Sequence, residues 1–141
     1  MKRILTSLIL PGLLIFSTHD ILAQGSQRVQ ISSKNIPDAL YGTASYYANK
    51  FEGRLTANGE VFSQQKMTAA CNVLPLGIWI RVTNLHNGQS VVVKVNDRLH
   101  YKNKRLVDLS KIAAKKMGYP GRGLTKVKVE PLGKKPPLAS K

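Results

Sequence analysis

Residues 78–95 read IWIRVTNLHNGQSVVVKV, and their pattern decides the fold class. Ile78, Ile80 and Val82 alternate with Trp79, Arg81 and Thr83. A period of two sends one set to a buried face and the other to solvent, which is a half-buried strand. Asn87-Gly88 follows, and then 90–95 (SVVVKV), a run rich in β-branched residues. Two such runs around Asn-Gly predict a β-hairpin, and the Leu85-His86 flank allows a loop longer than two residues.

Outward from the hairpin, 41–47 (YGTASYY) and 124–130 (LTKVKVE) read as further strands, the second alternating Val127 and Val129 with Lys126 and Lys128. Gly53, Gly59, Pro75 and Gly77 punctuate the connections. One segment reads as helix: 111–117 (KIAAKKM), with Ser110 as N-cap, Gly118 as stop and Pro120 preventing resumption. No internal repeat at a solenoid spacing is present. The expectation is a mainly β domain over 41–133 with one or two short helices. A closed barrel is one way for strands this short to avoid open edges.

The flanks differ in character. Residues 1–23 read as an export signal, with Lys2 and Arg3 at its start and Ala23 at the cleavage point. The apolar run, 4–16, contains Pro11 and Gly12 and falls short of the roughly 20 residues that span a bilayer. The expectation is therefore cleavage without stable membrane insertion, and, with no Cys at the cleavage point, no lipid attachment. Residues 24–40 read as a polar linker and 134–141 (KKPPLASK) as a basic, disordered tail.

The chain has 141 residues, one domain's worth, with 43% hydrophobic and 21% charged residues. Lys and Arg number 22 against 7 Asp and Glu, a net charge of +15. That excess attracts an acidic partner. An exported basic protein, in the periplasm or cell envelope, meets envelope polymers before chromosomes, which sets nucleic acid aside. One Cys and three His argue against a disulfide framework and a structural metal site.

Several short motifs come in order: GTASYY (42–47), FEGRLTANGE (51–60), LPLG (74–77), RVTN (81–84), Asn87-Gly88, VVVKVNDR (91–98) and VDLS (107–110). Together the chain resembles the rare lipoprotein A family of septal-ring lytic transglycosylases over about 41–132. The resemblance implies a six-stranded double-psi β-barrel. It also implies cleavage of peptidoglycan glycan strands, with preference for strands stripped of stem peptides. More distant relatives are expansins, and a catalytically weak, expansin-like glycan-binding barrel is the alternative function.

Lytic transglycosylation, a carbon–oxygen lyase reaction, needs a carboxylic acid to protonate the leaving oxygen. The same group can then act as base while the muramyl 6-hydroxyl closes a 1,6-anhydro ring. Polar groups stabilise the cation-like state, and no metal or cofactor is required. Asp20 lies in the signal, Asp38 in the linker, and Glu52 and Glu130 read as surface charges. Glu60, Asp97 and Asp108 remain. From the residues alone, Glu60 is also a turn acid, Asp97 a turn former with Asn96 and Arg98, and Asp108 a helix cap or partner of Arg105.

The family's catalytic positions fall on Glu60 and Asp97, with Asp108 in support; their order as acid and partner is left open. The family's usual His is replaced by Cys71, either a small buried hydrophobe or a polar substitute in the cleft. His100, beyond Asp97, is a candidate to compensate for it in space. Substrate contacts are expected from Arg54, Asn58, Trp79, Arg81, Asn96 and Arg98. Arg54, Arg81 and Lys94 can engage lactyl carboxylates, while Trp79, Tyr46, Tyr47 and Tyr101 can stack on sugar rings.

Overall fold

The computed structural model describes residues 35–138. The export signal at 1–23 lies outside them, as do most of the 24–40 linker and the end of the 134–141 tail. Strands form at Leu40–Tyr46 (β1), Thr68–Cys71 (β2), Trp79–Asn84 (β3), Ser90–Asp97 (β4), Val107–Leu109 (β5) and Thr125–Gly133 (β6). One α-helix, Lys111–Lys116 (α1), and 3-10 turns at Asn49–Phe51 and Pro120–Arg122 complete the described residues. The strands close into a barrel in the order β1-β5-β2-β4-β3-β6. β1 is parallel to β5 and β2 to β4, while the other neighbours are antiparallel. This is the double-psi closure that the resemblance implied, and closure removes open sheet edges.

The expected hairpin is β3 and β4, paired from Trp79 with Lys94 to Thr83 with Ser90. Its inward residues Ile80, Val82, Val93 and Val95 are fully buried. Burying each such side chain stabilises the fold by about 1.5–3 kcal/mol. The turn is the longer of the two expected forms, spanning 85–89, and Asn84 explains why. Asn84 turns inward and plugs the barrel end: its Nδ2 donates to the Met117 carbonyl at 2.9 Å, and its Oδ1 accepts from the Thr125 hydroxyl at 2.8 Å.

β2 and β5 carry no strand signal in sequence. They pair in parallel with β4 and β1, and Ala69, Val107 and Leu109 have no exposure. Strands covered on both faces lose the alternation that announces a strand. Helix α1 buries Ala113 and Ala114 against the barrel, and Met117 at its C-cap joins them in the core. Ser110 has the extended backbone of an N-cap, but its hydroxyl makes no capping bond. Gln64 replaces it, its Oε1 accepting the Lys111 N–H at 2.8 Å and its carbonyl the Ile112 N–H at 3.1 Å.

A second apolar cluster of Tyr47, Phe62, Ala70 and Leu99, with Phe51 against it, packs apart from the main core. It forms the floor on which the site stands. No helix among the described residues is long and apolar enough to cross a membrane.

Candidate active site

The end of β4 carries Asn96 and Asp97, and the loop 56–60 folds over it. The Thr56 N–H donates to the Glu60 carbonyl at 2.8 Å and the Gly59 N–H to the Thr56 carbonyl at 3.0 Å. Gly59 sits at φ +87°, a conformation that a side chain disfavours. Asn58 is the hub of this turn. Its Oδ1 accepts from the Thr56 hydroxyl at 2.6 Å, and its Nδ2 donates to Glu60 Oε1 at 2.9 Å. Two backbone groups dock the loop: the Asn58 N–H on the Asn96 carbonyl at 3.2 Å and the Ala57 N–H on Asp97 Oδ1 at 2.9 Å.

Glu60 receives Lys94 Nζ at 2.9 Å and Asn96 Nδ2 at 3.0 Å. The Asn96 hydrogen bond and then Lys94 hold its carboxyl down at about 2. Asn96 is 2% exposed, and its Oδ1 has no hydrogen-bond partner among the described residues. Asp97 is bound differently, by neutral donors. Its Oδ2 accepts from the Tyr47 hydroxyl at 2.7 Å, and its Oδ1 from the Ala57 and Arg98 N–H groups at 2.9 and 2.8 Å. The Tyr47 ring stacks on Phe62 at 4.1 Å and meets Phe51 edge-on at 5.6 Å. Burial and then the hydrogen bond to Asp97 push the Tyr47 hydroxyl far up, with added repulsion from the charges of Asp97 and Asp108. It is therefore a fixed donor.

Asp97 and Asp108 share a cleft of about 630 Å³ with Tyr47, Phe51, Lys50 and Arg105. Asp108 lies on β5, opposite Ser45 and Ala70 in register. Arg105 grips it with both ends, Nε on Oδ1 at 2.7 Å and Nη2 on Oδ2 at 2.8 Å, as the sequence allowed. Glu60 is absent from the residues lining this cleft. It stands on the flank, joined to Asp97 through the loop. The three carboxylates thus divide into a pair in the cleft and one beside it.

The remaining expected residues also sort. Cys71 is fully buried in the main core, and burial pushes its thiol up. Its neighbour Ala70 lines the cleft instead. Arg98 Nη1 donates to the carbonyls of Cys71 and Leu74, pinning the segment after β2. Trp79 pairs with Lys94 in register and so borders the Glu60 network, whereas exposed Arg81 lies between Val92 and Glu130, outside the cleft lining. Arg54 stands with its guanidinium 5.5 Å from the Phe51 ring. His100 rims the cleft, stacked on exposed Tyr101 at 4.4 Å. Tyr46 donates its hydroxyl to the Pro120 carbonyl at 2.9 Å. Sequence reasoning missed Tyr47 as partner of the acid and Lys50 as a cleft residue. The run YGTASYY offered two adjacent tyrosines, and both Tyr46 and Tyr47 line the cleft. Among the described residues, no group of His, Cys, Asp or Glu gathers closely enough to hold a metal ion.

Comparison with known proteins bears on this arrangement. A family described as lytic transglycolase matches residues 40–129. The endolytic peptidoglycan transglycosylase RlpA of Pseudomonas aeruginosa is 54% identical over 91 residues, 64% of this chain and 27% of that protein. The protein of the same name from Haemophilus influenzae is 48% identical over 91 residues, covering 64% and 32%. That from Neisseria meningitidis is 43% identical over 100 residues, covering 70% and 42%. The chain thus spans well under half the length of these relatives. Among solved structures, the Streptomyces papain inhibitor aligns with TM-score 0.53 and 23% identity, covering 65% of this chain and 92% of that one. An expansin of Clavibacter michiganensis aligns with TM-score 0.51 and 20% identity, covering 70% and 52%. These two share the barrel.

Proposed function

The chain belongs to the lytic transglycolase family, and we propose that it cleaves peptidoglycan glycan strands as an endolytic transglycosylase. The bond broken joins N-acetylmuramic acid to N-acetylglucosamine, and the product carries a 1,6-anhydromuramyl end. The observation that carries this reading is the placement of Asp97 and Asp108 in one cleft with Tyr47, on a domain so similar to proteins named for that reaction.

In this mechanism a glycan strand fills the cleft and expels water. In this reading Arg105 holds Asp108 through both of its oxygens, and Asp97 is the acid that carries the proton. Its Oδ1 is occupied by two backbone N–H groups, which leaves Oδ2 to carry it. Asp97 gives the proton to the glycosidic oxygen as the C1–O4 bond breaks. Asp108 stabilises the positive charge that develops at C1. The muramyl O6 then bonds to C1, and its proton passes to Asp97, restoring the acid without consuming water. Tyr47 donates to Oδ2 throughout and keeps it aimed. Glu60, ionised at any pH near neutrality, holds no proton to give. Its part is to fix Lys94, Asn96 and the loop that docks on Asp97.

Cys71 stands outside this reaction. Where the family carries His, this chain has a fully buried thiol, and the mechanism does not call on it. A peptidoglycan substrate would lie in the cell envelope, the location expected from reading 1–23 as an export signal.

The test is a digestion of intact sacculi and amidase-stripped glycan, with products identified by mass spectrometry. Anhydromuramyl ends from the wild type, lost in Asp97→Asn and reduced by at least about 100-fold in Asp108→Asn, are expected. Glycan that pellets with the protein but is not cut would replace the enzyme with the expansin-like binding barrel.

A further inference from the structure

The cations around the cleft are not equivalent. Arg105 is committed to Asp108, and the Arg98 guanidinium to the carbonyls of Cys71 and Leu74. Lys50 and Arg54 are arranged otherwise. Lys50 Nζ lies 5.4 Å and Arg54 Cζ 5.5 Å from the centroid of the same ring, Phe51. Both are exposed, and among the described residues neither forms an ion pair. The nearest carboxylate in sequence, Glu52, turns away and accepts the Gln64 N–H at 2.7 Å. Two exposed positive groups thus lie against one ring, and neither is paired with a carboxylate among the described residues.

The backbone holds them there. The Phe51 N–H donates to the Ala48 carbonyl at 3.2 Å, and the Arg54 N–H to the Phe51 carbonyl at 3.1 Å. The Phe62 N–H reaches back to the Arg54 carbonyl at 2.8 Å. Phe51 in turn meets Tyr47, the residue that binds Asp97. A sugar ring laid on Phe51 would therefore be a near neighbour of the unit being cleaved.

We infer that Lys50, Phe51 and Arg54 form a carboxylate-binding subsite for the free lactyl group of a muramyl unit adjacent to the scissile bond. The inference rests on the proposed function and adds to it a cause of substrate choice. A stem peptide ties up the lactyl carboxyl in an amide, whereas a stripped strand presents it as an anion. Lys94, which the sequence also offered for this task, is engaged by Glu60, and Arg81 lies in register between Val92 and Glu130, away from Phe51. Charge attraction at an exposed site is modest, so the subsite tunes affinity rather than deciding catalysis.

The experiment uses the full chain, amidase-stripped glycan strands, and the same strands after carbodiimide coupling to methylamine, which caps the lactyl carboxylates. Binding and cleavage are measured for wild type, for Lys50→Gln/Arg54→Gln, and for Lys115→Gln/Lys116→Gln, which removes two exposed charges from α1. The first double variant is expected to bind stripped strands about fivefold more weakly, with no difference from wild type on capped strands. The second is expected to behave as wild type. Equal binding by the first variant and wild type, an equal loss on capped strands, or the same loss in the α1 variant overturns the subsite. If wild type binds strands without cutting them, the proposed activity fails and the binding comparison still decides the subsite. If it neither binds nor cuts, both fail.

Discussion

Glu60→Gln tests the electrostatics of the site without any substrate. The wild-type carboxylate accepts from Lys94, Asn96 and Asn58, and these hold it at about 2 against an ordinary value of 4.5. A carboxyl with a depressed folded value stabilises the native state above its unfolded value, and that stability is lost as pH falls through the folded value. The window here runs from about pH 4.5 down to about pH 2. Taken at face value the shift would correspond to about 3 kcal/mol. The side chain is 38% exposed and Lys94 33%, so solvent screening reduces this to about 1 kcal/mol. Urea unfolding of wild type and Glu60→Gln at pH 6 and pH 2.5 measures it. The variant should be about 1 kcal/mol less stable at pH 6, and the gap should mostly close at pH 2.5. A gap that does not change with pH would falsify the charge-based account and leave only lost packing.

Other substitutions probe separate parts of the argument. Tyr47→Phe keeps the stack on Phe62 but removes the 2.7 Å hydrogen bond to Asp97. Cleavage should fall roughly tenfold in kcat, and urea unfolding should show a loss of about 1.5–3 kcal/mol, the contribution of a hydrogen bond to a charged group. Gly42→Ala places a Cβ 2.6 Å from Leu106 Cβ, where β1 passes the segment before β5. Chemical denaturation should show a loss of about 1–3 kcal/mol, and an unchanged midpoint would mean that the crossing yields easily. Cys71 has no exposure, so a thiol reagent should modify it only as fast as the protein unfolds. Rapid labelling of the native protein would contradict its burial.

Legibility from sequence followed the physics of exposure. The β3–β4 hairpin was readable because one face meets water, so Ile80 and Val82 alternate with Arg81 and Thr83. Its loop length was not, because Asn84 is consumed by Met117 and Thr125 from distant parts of the chain. β2, written TAAC and buried at every position, gives no phase, so sequence alone could not say whether Ala70 or Cys71 faces the cleft. Asp97 was legible as a turn former with Asn96 and Arg98, and Arg105–Asp108 as a pair three residues apart. Glu60 was legible as a turn acid, but its grip by Lys94 and Asn96 depends on β4 lying beneath the loop. The replacement of Ser110 by Gln64 as helix cap is of the same long-range kind.

A protein with 22 basic and 7 acidic side chains faces a particular difficulty in keeping a carboxyl ready to carry a proton. Any lysine or arginine within reach favours the ionised form. At this site two of the three carboxylates are gripped by cations, Glu60 by Lys94 and Asp108 by Arg105. The donors on Asp97 are a phenol and two backbone amides. What makes that possible is the second apolar cluster. Tyr47, the phenol that binds Asp97, is packed in that cluster with Phe62, Leu99 and Phe51. The cluster therefore does more than support the cleft floor. It also seats the cations Lys50 and Arg54, which lie against the Phe51 ring, Lys50 within the cleft that holds Asp97.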